Sequence, residues 1–376
     1  MGGYAVIYLD HAATTPVRPE VAAAMAPFYE DSFANASSSY AAARASRRAI
    51  DQARAQVAAG IGAKRSEIYF TSGGSEADNW AMFGAAAACP EKKHIITTCI
   101  EHHAVLFACK ALERFGCSIT YLPVDRFGRV SPADVRSAIR PDTLMISVML
   151  ANNEIGTIEP IGEISAIARE AGVLMHTDAV QAVGHLPVDV SSLGVDMLSM
   201  SSHKFYGPKG IGALYIRDGV RMGRMIFGGA QERGMRAGTE NTPAIVGMGK
   251  AVELACGDME QEKETLLRLR MRLMKMLGRI PGVRINGDPD CSLPGIVHAT
   301  IDDADTSMLL MQMDMNGIAV SAGSACTSGA AERSHVIEAL GFDGSRQADI
   351  RFSIGRQNTE NDIVTAAEML RRCLKR

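Results

Sequence analysis

The sequence predicts an α/β protein with a large domain on a mainly parallel β-sheet and a smaller α+β domain. Two observations carry this prediction. Between about residues 66 and 216, short β-rich apolar runs alternate with helical patterns, which is the rhythm of βαβ units. After residue 283 the strands and helices follow a different rhythm. With 376 residues, 47% of them apolar, the chain is long enough to bury a sizeable core.

The large domain takes its predicted strands from six apolar runs, which are EIYFT, HIITT, SITYL, TLMISVML, VLMHT and DMLSM. The helical patterns that separate them cover about 75–88, 102–115, 131–140 and 161–171. Parallel strands joined in this way form a sheet covered by helices on both faces. Ligands then collect beyond the carboxyl ends of the strands.

The flanking segments complete the prediction. SSSYAAARASRRAIDQARAQVAAGIG reads as a helix that ends at Gly60 and Gly62, and residues 244–280 read as long amphipathic helices. Beyond Pro281 and Gly282, VRING, GIVHATI and GIAVSAG are predicted strands, while SMLLMQMDM and ENDIVTAAEMLRRCL are predicted helices. We therefore divide the chain into a large domain of residues 16–257 and a small domain of residues 1–15 and 258–376.

Composition excludes several classes of protein. Thirty-nine basic residues stand against 42 acidic ones, with no long block of one sign, so nucleic acid and membrane surfaces are not expected partners. The apolar runs are too short to span a bilayer. The first residues lack the features of a secretory leader, which predicts a cytoplasmic protein. The eight cysteines include no Cys-x-x-Cys pair, so neither a disulfide framework nor a metal site is expected.

Two lysines, Lys204 and Lys209, lie in SSHKFYGPKG, directly after the predicted strand DMLSM. Lys204 comes first and would lie at the ligand-binding edge of the sheet, where partial desolvation favours the neutral amine that Schiff-base chemistry requires. An ordinary loop lysine is the alternative, and position alone favours that alternative.

Asp178 ends the strand VLMHTD as Lys204 follows DMLSM, on what we expect to be neighbouring or nearby strands. A carboxylate there could keep a pyridinium nitrogen protonated, the state in which pyridoxal phosphate withdraws electrons. A helix N-cap or a turn residue is an equally good interpretation of Asp178 from the sequence alone.

A phosphate-binding turn is predicted in TSGGSEADN, residues 71–79, where a strand ends, two glycines turn the chain and a helix begins near Ser75. Backbone N–H groups at such a helix start bind phosphate. His102, in EHHAVL, opens another helix at the same edge, where an imidazole could stack on a planar cofactor and handle protons. Cys99, His102 and His103 could instead be a fragment of a metal site, but no further ligand spacing supports a metal.

Nine motifs in order resemble the NifS/IscS-type cysteine desulfurases of the class V aminotransferase family. They are LDHAATTP, TSGGSEADN, EHHAVL, NNEIG, HTDAVQ, SSHKFYGPKG, ERGMRAGTEN, SAGSACTSG and IRFSIGR. The match runs from about residue 7 to the C-terminus. It implies the large fold of the pyridoxal-phosphate-dependent, aspartate-aminotransferase-like enzymes (fold type I), with a seven-stranded sheet in the large domain.

The resemblance also implies a role for each matching residue. Lys204 would hold the cofactor covalently, Asp178 would pair with the pyridine nitrogen, and His102 would stack on the ring and move protons. The ring hydroxyl side would contact Asn153 and Gln181. The phosphate would be held by Gly74, Ser75, Ser201 and His203, with Thr239 supplied by the second subunit of a homodimer. Arg351 would grip the substrate carboxylate with help from Asn35, and Arg356 is a rival for that role.

Cys326 is the one cysteine embedded in a run of small residues, SAGSACTSGAAE, whose composition favours a mobile exposed loop. From composition alone, an incidental cysteine in a loop is an equally good interpretation of Cys326. In the family the catalytic cysteine occupies this motif, where its thiolate takes the substrate sulfur and carries it outward as a persulfide.

The implied reaction converts L-cysteine to L-alanine, with sulfur passed to an acceptor protein, either an iron-sulfur scaffold or a thiolation enzyme. The chain departs from many relatives at Gly74, Ser75 and Ser202, and it stops at LRRCLKR, where housekeeping members have a longer tail used to dock a scaffold. The residues Gly74, Ser75 and Ser202 keep the hydrogen-bonding capacity of the phosphate site. Rival functions are a selenocysteine lyase or an aminotransferase on the same fold, and a non-catalytic phosphate- or nucleotide-binding module.

Overall fold

The computed structural model describes residues 6–323, 333–342 and 346–374, which contain a mixed α/β architecture. The helices are α1 Pro19–Met25, α2 Pro27–Glu30, α3 Ala41–Gly60, α4 Gly74–Ala88, α5 His103–Arg114, α6 Pro132–Ala138, α7 Ile161–Ala171, α8 Val190–Leu193, α9 Thr242–Leu277, α10 Thr306–Met315, α11 His335–Ala339 and α12 Glu360–Cys373. The strands are β1 Ile7–Tyr8, β2 Ile68–Thr71, β3 His94–Thr98, β4 Ser118–Leu122, β5 Thr143–Ser147, β6 Leu174–Asp178, β7 Met197–Ser201, β8 Gly212–Ile216, β9 Val283–Asn286, β10 Ile296–Asp302, β11 Ile318–Ala319 and β12 Gln347–Ser353.

A seven-stranded sheet with the order β2-β8-β7-β6-β5-β3-β4 forms the large domain. The pairs from β7 to β4 are parallel, whereas β8 is antiparallel to both β2 and β7. The mainly parallel sheet is therefore confirmed. The sequence reasoning missed β8, because no helix separates it from β7, and an antiparallel neighbour does not require a helical crossover.

Apolar side chains cover both faces of this sheet. Adjacent residues of one strand enter different cores: Met145 packs with Trp80 and Val105, while Ile146 packs with Val148 and Ile164. This alternation follows from the two-residue period of a strand. The sheet is therefore buried on both sides, and polar groups gather at its carboxyl edge.

Helix α9 is a single element where the sequence predicted several long helices. Its N-terminal half contributes Met248 and Val252 to the core around the large sheet, and its C-terminal half contributes Leu266 and Leu273 to a second core. The change from one core to the other occurs within the helix. The division of the chain at residues 257 and 258 stays a prediction.

The second core lies beneath a three-stranded antiparallel sheet with the order β12-β10-β9. The first strand of the chain, β1, pairs in parallel with β11, which is shorter than the predicted strand GIAVSAG. This pairing carries the segment that follows β1 across to the carboxyl edge of the large sheet. None of the helices in the described ranges combines the length and apolar character needed to cross a bilayer.

Candidate active site

A cavity of about 280 Å³ opens at the carboxyl edge of the large sheet. It collects ten of the side chains or backbone positions predicted to form the site, which are Gly74, Ser75, His102, Asn153, Asp178, Gln181, Ser201, His203, Lys204 and Arg351. They lie at or after the ends of three strands, β5, β6 and β7, at the starts of α4 and α5, and in strand β12 of the small-domain sheet. The topology therefore assembles residues that are far apart in the sequence.

Lys204 lies in a one-turn 3₁₀ helix, Ser202–Lys204, directly after β7. Its amine donates hydrogen bonds to the carbonyl oxygens of Ala12 and Ala13, at 2.6 and 2.9 Å. Lys209 is exposed and does not line the cavity. Of the two lysines, the structure therefore places Lys204 where a ligand carbonyl could be attacked.

Asp178 ends β6 and is paired in register with Ser199 of the neighbouring strand β7. One carboxylate oxygen, Oδ1, accepts the Val180 N–H at 2.8 Å, so this residue does serve as a turn residue. The carboxyl group also lines the cavity. Burial raises its pKa to about 6, against the lowering effects of the Val180 N–H and Lys204. The turn contact therefore does not remove the Asp178 carboxyl group from the cavity.

The start of α4 forms the end of the cavity suited to phosphate. Its N-cap residue, Gly73, provides no side-chain cap, so backbone N–H groups of the first turn are left for an anion. A Cβ added at Gly74 would lie 2.7 Å from Val180 Cγ2, which explains why glycine stands there. Ser75 and Ser201 line the same cavity.

His203 also lines this cavity, and its Nδ1 lies 3.2 Å from the Thr14 hydroxyl. Burial, and to a lesser degree Lys204 and Lys209, lowers the pKa of His203 to about 4. The ring is therefore neutral near pH 7 and contributes hydrogen bonds rather than a charge.

His102 is the N-cap residue of α5, and its Nδ1 accepts the Ala104 N–H at 3.1 Å. The neutral ring must therefore carry its proton on Nε2. Burial, followed by the charge of Lys204, lowers the pKa of His102 to about 4. At neutral pH, this histidine is an uncharged ring with one fixed tautomer.

Gln181 and Asn153 line the cavity beside the Ala12–Ala13 segment. The Gln181 amide nitrogen donates to the Ala12 carbonyl at 2.9 Å, the same oxygen that Lys204 contacts. The Asn153 carbonyl oxygen accepts a hydrogen bond from Arg351 at 2.8 Å. Gln181 thus holds the backbone at Ala12, whereas Arg351 holds the backbone at Asn153.

Arg351 projects from β12 of the small domain and is 1% exposed. Its guanidinium donates to the Gly323 carbonyl at 3.1 Å and to Asp10 Oδ1 at 2.8 Å. Arg356, the sequence rival, does not line the cavity and lies over the Tyr206 ring at 5.7 Å. The geometry therefore favours Arg351 as the cation of the site.

Two predicted site residues, Asn35 and Thr239, are not brought together with the others in a single chain. Asn35 is exposed and its side chain accepts the Ser37 N–H. Thr239 is also exposed, in the segment after the 3₁₀ helix Glu232–Gly234. Cys326 lies outside the residues that the structure describes.

Sequence reasoning missed several residues that line the cavity: Asp78, His103, Glu154 and His335. A signal for Asp78 was present, because residues four apart on a helix share one face, and Asp78 follows Gly74 at that spacing. A signal for Glu154 was also present, because it follows the predicted Asn153 in NNEIG. His335 had no such signal, since its approach depends on how the small domain packs.

The cysteines of the described ranges are poor candidates for sulfur chemistry in this cavity. None of these seven lines it. Burial raises the pKa of Cys99, Cys117, Cys256 and Cys373 above the ordinary thiol value, and that of Cys109 to about 12. These five thiols stay protonated at neutral pH and are weak nucleophiles.

The residues present fit pyridoxal phosphate. The cavity offers an amine for its aldehyde, a buried carboxyl for its ring nitrogen, a ring that can stack and an uncapped helix start for its phosphate. The buried Asp78 Oδ1 at the inner wall has no hydrogen-bond partner among the described residues. This set of donors and acceptors matches the polar groups of that cofactor.

Comparisons with known proteins agree with this geometry. The family model of class-V aminotransferases matches residues 7–365. Cysteine desulfurase IscS of Methanosarcina thermophila is 51% identical over 97% of this chain and 91% of its own. A solved NifS-like protein superposes with a TM-score of 0.93 at 35% identity, over 98% of this chain and 99% of that one. The structure described as SspA in complex with cysteine has a TM-score of 0.83 at 38% identity, over 94% of this chain and 99% of that one.

Proposed function

This chain belongs to the aminotransferase class-V family and is a pyridoxal-phosphate-dependent cysteine desulfurase, and on that premise we propose how its own residues carry out the reaction. Lys204 holds the cofactor covalently, Asp178 faces its ring nitrogen, and Arg351 binds the substrate carboxylate. Cys326 accepts the sulfur of L-cysteine, so that L-alanine is released. The observation that supports this assignment most is the single cavity shared by Lys204, Asp178 and the start of α4.

When bound, the cofactor supplies an electron sink for the electrons left on Cα after proton loss. Asp178 keeps the ring end of the site negatively charged, because the Val180 N–H at 2.8 Å and the nearby charge of Lys204 stabilise its carboxylate against the effect of burial. The first-turn N–H groups of α4, with Ser75 and Ser201 beside them, hold the phosphate. These groups fix the ring between the acid and the helix.

Proton transfer falls to Lys204 and His102. The Lys204 amine lies within hydrogen-bond reach of two backbone carbonyls, which hold it in the cavity while it takes up and returns the Cα proton. His102 offers its Nε2 proton to the site, since Nδ1 is occupied by the Ala104 N–H. Because burial keeps the ring neutral, His102 can stack on the cofactor without adding a positive charge.

Substrate binding is assigned to Arg351. Backbone carbonyls of Asn153 and Gly323, together with Asp10, fix the guanidinium plane. A rigid planar fork of this kind suits a carboxylate better than a flexible ammonium group would. Asn35, which does not line the cavity of its own chain, is assigned to the same carboxylate from its sequence match alone.

Cys326 is assigned as the sulfur carrier from its sequence motif and from its attachment to the site. Gly323, three residues earlier in the chain, lines the cavity. The persulfide sulfur then passes to an acceptor protein for iron-sulfur cluster assembly or thiolation.

The active unit is assigned as a homodimer in the cytoplasm. Thr239 is exposed and does not line the cavity of its own chain, and a second copy could place it at the phosphate. Large apolar side chains such as Phe33 and Phe227 are also exposed, at 75% and 79%. In the assigned homodimer these two side chains are available to pack against the second copy.

The experiment that tests this function measures L-alanine and persulfide together after incubation with L-cysteine. Cys326→Ser is expected to keep the yellow cofactor and lose sulfur release by at least about a hundredfold, because the thiolate is the nucleophile. Cys256→Ser is the matched control and is expected to stay active, since Cys256 does not line the cavity. Full sulfur release by Cys326→Ser would contradict the role given to Cys326.

The three rival functions are not favoured by the comparisons, and each predicts a different outcome. A selenocysteine lyase would tolerate Cys326→Ser when given selenocysteine, since selenium leaves more readily. An aminotransferase would not need the thiol for its reaction. A phosphate-binding module would remain colourless when mixed with pyridoxal phosphate.

A further inference from the structure

A second carboxyl group, that of Asp78, lies at the inner wall of the cavity and has no role in the reaction as assigned above. It projects from α4 and is 1% exposed. Oxygen atoms of Asp78 and Asp178 and a ring nitrogen of His102 lie within 4.8 Å of one another. The Oδ1 atom of Asp78 has no hydrogen-bond partner among the described residues.

A row of buried polar side chains behind Asp78 crosses three neighbouring strands. The Ser147 hydroxyl lies 2.8 Å from His176 Nδ1, and His176 Nε2 lies 3.0 Å from the Ser199 hydroxyl. Ser199 in turn is the polar neighbour that lowers the pKa of the Asp78 carboxyl group, against the larger effect of burial. Each of these side chains, like Asp78, is at most 1% exposed, so the row lies in the buried interior behind Asp78.

The neighbours of Asp78 do not compensate a negative charge. His176 Nε2 is 3.7 Å from Asp78 Oδ1, but complete burial lowers the pKa of His176 to about 3, which leaves that ring neutral. Burial, and then the nearby carboxyls of Asp178 and Glu101, raises the pKa of Asp78 well above its ordinary value. An ionised Asp78 would therefore be costly here.

Asp178 has a different environment, although it is also buried. The Val180 N–H donates to its carboxylate at 2.8 Å, and Lys204 provides a nearby positive charge. Two buried carboxyl groups this close do not both ionise, because like charges repel strongly at low dielectric. The proton of the pair therefore belongs to the group with fewer stabilising neighbours, which is Asp78.

We propose that Asp78 is a positioning residue that keeps its proton beside Asp178, so that the two carboxyl groups share one negative charge and Asp178 carries it. This proposal deepens the proposed function, since it assumes that Asp178 faces the ring nitrogen. Asp78 sets the charge at that end of the cavity to one rather than two. It also forms a reserve acid, which can ionise when Asp178 is removed.

The first test measures the charge of the holoenzyme by native capillary electrophoresis at pH 8. Asp78→Asn is expected to leave the mobility unchanged, because a neutral amide replaces a neutral acid. Asp314→Asn, on the exposed side of α10, is the matched control and is expected to shift the mobility by one charge per chain. An equal shift for Asp78→Asn would overturn the proposal.

The second test is a double-mutant cycle read by the ¹⁵N chemical shift of ring-labelled pyridoxal phosphate bound to the enzyme. Asp78→Asn alone is expected to leave the ring-nitrogen pKa within about 0.3 of wild type, and Asp178→Asn to lower it by about 2. In the Asp178→Asn background, adding Asp78→Asn is expected to lower it by about 0.5 or more. That dependence on background is the signature of a shared charge.

If Asp78 had only a structural role, Asp78→Asn would change the ring-nitrogen pKa by the same amount in the wild-type protein and in the Asp178→Asn protein. That result would overturn the proposal. A fall of about 1 in the ring-nitrogen pKa for Asp78→Asn alone would also overturn the proposal, because it would show that Asp78 is already ionised. If Asp178→Asn leaves the ring nitrogen unchanged, the role proposed for Asp178 fails. The electrophoretic test still reports the charge of Asp78 in that case, so the two failures are distinguishable.

Discussion

At the scale of single residues, Arg351 offers a sharp test of substrate recognition. Arg351→Lys keeps the charge but removes the planar fork held by Asn153, Gly323 and Asp10. We expect KM for L-cysteine to rise about 10- to 100-fold, with a smaller change in kcat, because carboxylate binding is lost in both ground and transition states. Steady-state kinetics with cofactor-saturated enzyme give both constants.

Arg356→Lys is the control for this prediction, because Arg356 lies over Tyr206 and outside the cavity. Its kinetic constants are expected to stay within about threefold of wild type. A larger rise in KM for Arg356→Lys than for Arg351→Lys would show that Arg356, and not Arg351, binds the substrate carboxylate.

Much of the site could be predicted from sequence, since Lys204 and Asp178 follow strands whose carboxyl ends meet at one edge. The dual use of Asp178, as turn residue and as cavity acid, could not be read from its position. Asp10 was also missed, because its contact with Arg351 joins the two ends of the chain. Such contacts depend on tertiary packing and leave no local pattern.

At the scale of elements, the contact between α3 and α9 depends on a glycine. A Cβ added at Gly249 would lie 2.7 Å from the Ala53 Cα atom, and backbone at that distance cannot move aside cheaply. Gly249→Ala is expected to destabilise the fold by about 1–3 kcal/mol through overpacking. Equilibrium denaturation by urea measures the change in the free energy of unfolding.

Gly257, in the same helix, provides the matched comparison. It is exposed, and nothing lies within 4 Å of an added Cβ. Gly257→Ala is expected to stabilise the protein by about 0.5–1 kcal/mol, because alanine loses less backbone entropy in a helix. If both substitutions stabilise, the close approach of α3 and α9 is not as described.

The elements also show where sequence patterns lose information. Helices α3 and α7 were predicted nearly to the residue, because glycines mark their ends. Strand β8 and the single helix α9 were not, since one lacks a helical crossover and the other passes between two cores without a break. Hydrophobic periodicity does not reveal which core an apolar face will meet.

At the scale of the whole molecule, buried carboxyl groups make stability depend on pH. Glu159 is 4% exposed, and its Oε2 accepts the Val130 N–H while Oε1 has no partner among the described residues. Burial raises its pKa from 4.5 to about 8. The folded state therefore binds more protons than the unfolded state in this range, and stability is lost as pH rises towards 8.

Glu159→Gln removes this loss, since the amide does not ionise. The free energy of unfolding of Glu159→Gln minus that of the wild-type protein is expected to increase by about 1–3 kcal/mol between pH 5 and pH 8. Urea denaturation at several pH values measures it. Glu163→Gln, at an exposed position of α7, is the control and should show no such rise. A relative stability of Glu159→Gln that is flat with pH would contradict the description of Glu159.

The central claim of the account is that Lys204 is the residue that binds pyridoxal phosphate covalently. Borohydride reduction of the reconstituted enzyme, followed by peptide mass spectrometry, locates the attached pyridoxyl group directly. The account predicts the label on Lys204, none on Lys209, and none on the protein when Lys204→Ala is treated in the same way. A label on Lys209, or an undiminished label in the Lys204→Ala protein, would contradict it.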